Sequence, residues 1–245
     1  MTTPQFTDLL TLIEERSAAL RAAAAGADLD LRVPGCPEWT LGDLITHITQ
    51  VQRFWAAVVA SGPSDRRPDT GPAAQREPES GAEEATALLV DALRTAGPEA
   101  GCWTWWGKPA TAGAVARHQV QEAAVHARDA QETVGRTEPL PAGIAADAIS
   151  EFIEVWLGSL GPWPYAPARL ALYAGEGTSW LLDLGPDGAA LLTPEDGALA
   201  AADARVHGSA SDLLLALYGR VPAGSLRTEG DPEQVKRLLS WPTAD

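Results

Sequence analysis

Two residues in the middle of the chain have side chains that commonly bind metals. Glu122 and His126 stand in a stretch with the composition of a long helix, so both side chains project from one helical face, one turn apart. One helix often supplies two ligands to a metal ion in this way. The same spacing also occurs in ordinary surface Glu–His pairs, so it does not define a metal site by itself.

A third candidate ligand, His47, lies two turns into another predicted helix, which begins after Thr40. It shares a helical face with Leu44, and this face must point inward if the apolar stripe of the helix does. Two imidazoles and one carboxylate suit zinc, with nickel, cobalt or iron as alternatives. Three protein ligands leave one coordination position open, which is typical of catalytic sites. The alternative interpretation of His47 is a core histidine with satisfied hydrogen bonds.

Two more ionisable residues on the same predicted helix could assist the metal ligands. His118 lies one turn before Glu122 and is a candidate fourth ligand or acid/base group, or else a solvated histidine. Asp129 could accept a hydrogen bond from His126 and orient it, or lie on the helix surface as a solvated carboxylate.

The predicted loop over residues 102–109 contains three tryptophans. Trp103, Trp105 and Trp106 could form the wall of a ligand pocket, because indoles combine apolar area with a polar edge. Packing within the core is the alternative. Two other tryptophans, Trp39 and Trp55, are interpreted as core residues.

The predicted elements that position these residues form two domains, 1–162 and 163–245. Helical periodicity predicts five helices in the first domain, with Leu88, Leu89 and Leu93 facing inward on the third. Residues 31–39 are expected to form an irregular loop, and residues 61–80 a mobile surface loop. The predicted helices span residues 6–25, 40–62, 81–96, 112–135 and 141–160.

The second domain has a different pattern, with short alternating segments that predict strands. Ser209 and Asp231 are expected to cap two further helices. The predicted fold class is therefore mainly α, with a helical bundle followed by a small α+β domain. The predicted strands span residues 169–174, 179–184, 189–193 and 205–207.

Composition restricts the partners of the chain. The formal net charge of −15 makes nucleic acid and anionic membranes poor partners, because both are negatively charged. No apolar stretch approaches the ~20 residues of a membrane span, and the N-terminus lacks the pattern of a signal peptide. The two cysteines, Cys36 and Cys102, form no metal or redox motif. A cytoplasmic protein with reduced cysteines is expected, as a monomer or homodimer.

Four segments resemble, in order, the mycothiol-dependent maleylpyruvate isomerase family. The segment that ends at His47 is similar to the first motif of this family, and the segment around Glu122 and His126 is similar to its H-E-x-x-V-H-x-x-D motif. Gln121 departs from the histidine that often precedes the glutamate, and Ala127 and Arg128 replace a frequent Arg-Trp pair. The segments are 33–47 (VPGCPEWTLGDLITH), 121–129 (QEAAVHARD), 204–220 (ARVHGSASDLLLALYGR) and 226–231 (LRTEGD).

The resemblance implies a DinB-like four-helix bundle, followed by the small α+β domain of that family. It also implies that His47, Glu122 and His126 bind a divalent metal, with zinc as the first candidate, and that mycothiol is the thiol cosubstrate. A family arginine, matched here by Arg220, reaches the active site from the second domain. A guanidinium there would hold a carboxylate of the substrate or the thiol, whereas a simple cation at a helix C-terminus is the alternative.

The leading functional hypothesis is an enzyme that uses a low-molecular-weight thiol and a metal. It would either transfer the thiol to a small electrophile or isomerise a cis double bond. In this hypothesis Arg220 and His118 are the catalytic candidates, and Arg220, Trp103 and Trp106 bind the thiol. A second hypothesis is a thiol-independent metal enzyme, either a hydrolase or a natural-product biosynthetic catalyst. A third is a non-catalytic protein that binds a small molecule, for example in resistance.

Overall fold

The structure is a computed structural model that describes residues 3–69, 78–193, 195 and 197–241, with the side chains of 78–80 left out. It separates into two compact units, residues 3–138 and 139–241. The division lies before the fifth helix rather than at the predicted boundary of 162. The reason is packing, because the fifth helix contacts the sixth and the segment after it contacts a strand of the second unit.

The first unit is a bundle of four helices. Helix α1 packs mainly on α4, and α2 packs mainly on α3. Every one of the four was predicted from periodicity, and their observed bounds differ from the predicted ones by a few residues. The helices are α1 (Phe6–Ala24), α2 (Leu41–Ser61), α3 (Pro78–Ala96) and α4 (Ala112–Thr133).

Side-chain caps determine where the two ligand-bearing helices begin. The backbone N–H of Asp43 donates to Thr40 Oγ1 at 3.1 Å, and the N–H of Thr40 donates to Asp43 Oδ2 at 2.9 Å. This reciprocal capping box confirms the predicted start of α2. Thr111 caps α4 by accepting from the N–H of Ala114 at 3.2 Å.

One predicted core position on α3 is wrong. Leu89 and Leu93 are fully buried, as expected, but Leu88 is 49% exposed. Neighbouring helical positions differ by about 100°, so Leu88 points away from the stripe formed by the other two.

The predicted irregular loop before α2 is a short β-hairpin. Strand β1 (Arg32–Val33) pairs antiparallel with β2 (Cys36–Thr40), and Pro34 and Gly35 lie at the turn. Val33 is fully buried against the bundle, which anchors the hairpin. Of the predicted loop over residues 61–80, position 61 ends α2, 78–80 begin α3, and 70–77 lie outside the described residues.

The second unit combines helices with a five-stranded sheet. Its elements are α5 (Ala142–Glu151), β3 (Ala168–Ala174), β4 (Ser179–Gly185), β5 (Gly188–Leu192), β6 (Ala204–Gly208), α6 (Ala210–Leu217), β7 (Arg227–Gly230) and α7 (Pro232–Ser240). The strands follow the order β5-β4-β3-β6-β7; β3 and β6 are parallel and the other neighbours are antiparallel. The fifth predicted helix is shorter than expected and continues as a π-helical segment, Phe152–Leu157.

The caps of the second unit follow the sequence prediction. Ser209 accepts from the N–H of Asp212 at 3.0 Å, and Asp231 accepts from the N–H of Glu233 at 2.9 Å.

Strand β7 was not predicted, because its sequence RTEG has no apolar alternation. Within the described residues, neither Cys36 nor Cys102 forms a disulfide. Across the described part of the chain, no helix combines the length and the apolar character that crossing a membrane requires.

Candidate metal centre

The first unit brings His47, Glu122 and His126 together. His47 comes from α2, whereas Glu122 and His126 come from consecutive turns of α4. One potential ligand atom of each residue lies within 4.8 Å of those of the other two. A single carboxylate oxygen, Oε2 of Glu122, faces both imidazoles, at 3.7 Å from Nε2 of His47 and 3.6 Å from Nε2 of His126. The spacing on α4 therefore produces the shared face that the sequence predicted.

These residues fit a divalent cation in both geometry and chemistry. Nitrogen and oxygen ligands at about 2.1 Å from a tetrahedral ion lie about 3.4 Å from one another, close to the 3.7 and 3.6 Å that separate Glu122 Oε2 from the two imidazole nitrogens. Glu122 Oε2 is a buried oxygen with no donor within ordinary hydrogen-bonding distance, because the two imidazole nitrogens that face it lie slightly too far away, at 3.7 and 3.6 Å. A buried oxygen of this kind destabilises the folded protein unless a hydrogen-bond donor or a cation interacts with it. A cation among the three side chains would supply that interaction.

The local charges favour the ionised form of Glu122. Burial by itself raises the pKa of this carboxyl, but the facing imidazoles of His47, His126 and His118 more than offset it and lower the pKa to about 2. The carboxylate is therefore available as a ligand at neutral pH.

Asp129 orients one of the candidate ligands. Its side chain is fully buried, and its Oδ2 lies 3.0 Å from Nδ1 of His126. Because a carboxylate can only accept, Nδ1 carries a proton and donates it, so that Nε2 is the nitrogen that faces Glu122 and is placed to bind a cation. The alternative of a solvated surface carboxylate is wrong.

Trp39 contacts both candidate histidine ligands. Its ring centroid lies 4.6 Å from that of His47 and 6.0 Å from that of His126, and the two imidazoles are 5.0 Å apart. The indole is half-buried on strand β2, next to the bundle core. Sequence reasoning interpreted Trp39 as a core residue and missed this position. The available signal was its place immediately before the Thr40 cap, in the motif that ends at His47.

His118 is buried beside the other oxygen of Glu122. Its Nε2 lies 3.8 Å from Glu122 Oε1, and its side chain is only 8% exposed, so the interpretation as a solvated histidine is wrong. It is not a member of the three-residue group of potential ligands. Instead its ring is surrounded by indoles, with centroids 5.1 Å from Trp106, 6.0 Å from Trp105 and 6.1 Å from Trp55.

The tryptophan loop, residues 102–109, is held at both ends. The N–H of Cys102 donates to the carbonyl of Ala110 at 3.1 Å, and Trp106 Nε1 donates to the carbonyl of Pro109 at 3.0 Å. Trp103 and Trp106 pack against Trp55, at centroid distances of 6.3 and 5.4 Å. Of these two loop indoles, Trp106 is the one in contact with His118. Trp55 is buried, as predicted.

Arg220 follows helix α6 in the second unit. Its Nη1 donates to the carbonyl of Tyr218 at 2.8 Å, and its guanidinium lies 5.7 Å from the centre of that ring. The Tyr218 ring in turn packs against Phe152, at 4.8 Å. A contribution of Arg220 to the metal centre remains a prediction.

Comparisons with known proteins give a family from the sequence pattern and a similar fold from solved structures. The pattern of the mycothiol maleylpyruvate isomerase N-terminal domain matches residues 10–131, and that of the corresponding C-terminal domain matches residues 143–237. Two crystal structures of the mycothiol-dependent maleylpyruvate isomerase are similar in fold, each with a TM-score of 0.61. One, a histidine-to-alanine mutant, is 16% identical and the other 17%; the alignments cover 90% of this chain and 93% and 92% of those chains. No curated protein sequence matches the chain.

Proposed function

Because the chain belongs to the mycothiol-dependent maleylpyruvate isomerase family, we propose that it is an enzyme that combines a divalent cation with a low-molecular-weight thiol. Zinc is the first candidate for the cation and mycothiol for the thiol. The substrate is a small electrophile, and the reaction is either thiol transfer or cis–trans isomerisation. The observation that carries the proposal is the buried, unsatisfied oxygen of Glu122 between two imidazoles.

The proposed roles of the side chains are based on their contacts. His47, Glu122 and His126 hold the cation, and Asp129 keeps the protonated nitrogen of His126 turned away from it. A bound divalent cation lowers the pKa of a coordinating thiol, so that a thiolate is present at neutral pH. Trp39 covers the two imidazoles with apolar surface and thereby limits the access of water to them.

The two reactions share the attack of the thiolate and diverge after it. In isomerisation, a C–S bond forms as the π electrons move into the conjugated carbonyl, the remaining single bond rotates, and the C–S bond breaks to release the thiolate. In transfer, the adduct keeps the sulfur and its carbanion takes a proton. His118 is our proposed catalytic imidazole for this proton, because it lies beside Glu122.

Two further assignments concern binding. Trp103 and Trp106 are proposed to form a wall for the bound thiol, since both belong to the anchored tryptophan loop. Arg220 is proposed to hold a carboxylate of the substrate or the thiol, because a guanidinium can pair with a carboxylate through two parallel hydrogen bonds.

The decisive test measures metal and thiol together. Purified protein should contain about one divalent ion per chain, and His47→Ala should lose most of it. Mycothiol should raise the melting temperature of the metal-loaded protein, whereas an S-methylated analogue should not. Full metal content in His47→Ala would refute the ligand assignment. Equal stabilisation by mycothiol and its S-methylated analogue would refute the role of the thiol.

A further inference from the structure

Aromatic rings line α4 on both sides of the metal centre. Trp105 and Trp106 lie at the level of His118, and Trp39 lies at the level of His126. Since a helix rises 1.5 Å per residue, these two levels are about 12 Å apart, with Glu122 midway between them. We define the Trp105, Trp106 and His118 rings as the aromatic corner.

We propose that the aromatic corner is the subsite for the substrate, and that it selects electrophiles whose reactive double bond is conjugated to an aromatic ring. The inference rests on the proposed function, because it names the substrate class of the same site. In it Trp106 borders both the thiol and the substrate, which must meet for the C–S bond to form. The geometry of the corner is specific: the Trp105 and Trp106 planes are perpendicular, at a centroid distance of 5.2 Å, and the buried His118 ring packs against both indoles, at 6.0 and 5.1 Å.

The corner is rigid enough to bind a ring at low entropic cost. The Trp106 indole donates its N–H to Pro109, and Thr104 Oγ1 donates to the carbonyl of Gly107 at 2.9 Å, so the loop is ordered by its own hydrogen bonds. Trp105 nevertheless keeps 38% of its surface exposed. Leaving so much apolar surface in water is unfavourable, and a planar ligand that covers it would recover that free energy.

The preference for an electron-poor ring comes from the electronic character of the corner. Indole faces are electron-rich, so they stack most favourably on rings that carry electron-withdrawing groups, such as a conjugated carbonyl. His118 links the corner to the metal centre, because it contacts Trp106 at 5.1 Å and Glu122 at 3.8 Å. A ring bound at the corner would therefore direct its conjugated side chain along α4 towards Glu122.

The test uses ligands that lack the double bond to which a thiolate adds. We would measure binding of 4-phenylbutan-2-one and pentan-2-one by titration calorimetry, with metal-loaded protein and no thiol present. These ketones differ only by phenyl in place of methyl. Trp105→Ala should weaken binding of the phenyl ketone by roughly tenfold, as stacking contributions of this kind imply, and leave that of pentan-2-one unchanged.

Three more variants test whether the loss of affinity is due to lost stacking at the corner and not to loss of any exposed ring or of the metal. Trp106→Phe should retain most of the affinity for the phenyl ketone, because a stacking ring remains. Tyr165→Ala, which removes another exposed aromatic residue, should change nothing. His47→Ala should still bind the phenyl ketone. Equal binding by native protein and Trp105→Ala would overturn the inference, as would loss of binding in His47→Ala.

Turnover distinguishes this inference from the proposed function. With thiol present, native protein should convert 4-phenylbut-3-en-2-one at least tenfold more efficiently than pent-3-en-2-one in kcat/KM, and Trp105→Ala should reduce this ratio through KM. Binding that depends on Trp105, without any thiol-dependent turnover, would refute the proposed function and leave the subsite in place. Equal kcat/KM values for the two ketones would refute the subsite and leave the function in place.

Discussion

Replacing Asp129 by asparagine tests whether this residue prepares His126 to bind a metal. The change preserves the shape of the side chain and replaces a buried carboxylate, 3.0 Å from Nδ1 of His126, by a neutral amide. A hydrogen bond to a charged group contributes about 1.5–3 kcal/mol and a neutral one about 0.5–1.5 kcal/mol. The exchange should therefore cost about 1–1.5 kcal/mol, which corresponds to a roughly tenfold loss of zinc affinity.

The tautomer of His126 can enlarge this loss. If the asparagine presents its NH₂ group to Nδ1, that nitrogen becomes the acceptor and the ring proton moves to Nε2, the atom that faces Glu122. The metal would then have to displace this proton, and the loss should approach the upper limit of about 100-fold known for partners of metal ligands.

The assay is zinc competition with a chromophoric chelator, together with chemical denaturation of the metal-free protein. The matched control is Glu132→Gln, which removes a carboxylate that pairs with Arg128 on the same helix, at 3.2 Å, and should leave zinc affinity unchanged. In a His126→Ala background, Asp129→Asn should have no further effect on zinc affinity. A change below twofold in folded Asp129→Asn would refute the reasoning, and so would an equal change in Glu132→Gln.

Three other predictions concern stability and the surroundings of the site. Thr40→Ala removes the capping box with Asp43 and should lower the free energy of unfolding by about 1 kcal/mol, as measured by urea denaturation; an unchanged midpoint would contradict this. The depressed pKa of Glu122 stabilises the metal-free fold above pH 4.5, and this contribution should disappear as the pH falls towards about 2. Glu122→Gln should therefore show a shallower acid-induced loss of stability, and equal slopes would be evidence against the charge arrangement. Trp39→Leu should weaken zinc binding severalfold through exposure of His47 to water, whereas affinity equal to that of the native protein would show that the indole has no such role.

The sequence by itself determined the features that depend on local contacts. Periodic apolar residues predicted the four bundle helices, and Thr40 marked the start of α2 because its cap involves only Asp43, three residues away. The pairing of Glu122 with His126 also came from sequence, since residues four apart on a helix always share a face. The position of His47 on the inward face of its predicted helix made it a candidate, and the likeness of the flanking segments to a known family joined it to the other two.

Only the tertiary structure decided which side chains surround those ligands. Sequence left Asp129 either buried or solvated, and only the packing of α4 against its neighbours shows that it is buried and bonded to His126. The same holds for Trp39, which reaches the imidazoles because an unpredicted hairpin folds back on the bundle. Burial of His118 among three indoles likewise depends on how the tryptophan loop folds over α4 and on Trp55, which comes from α2.

The boundary between the units is another feature that depends on tertiary contacts and not on local sequence. Helix α5 has a helical pattern like those of the bundle, and composition changes only after it, so the sequence placed the division at 162. Its apolar face packs on α6, some sixty residues further along the chain, and this places α5 in the second unit. Local propensity specifies a helix, but the choice of partner depends on contacts between segments far apart in sequence, which no local pattern encodes.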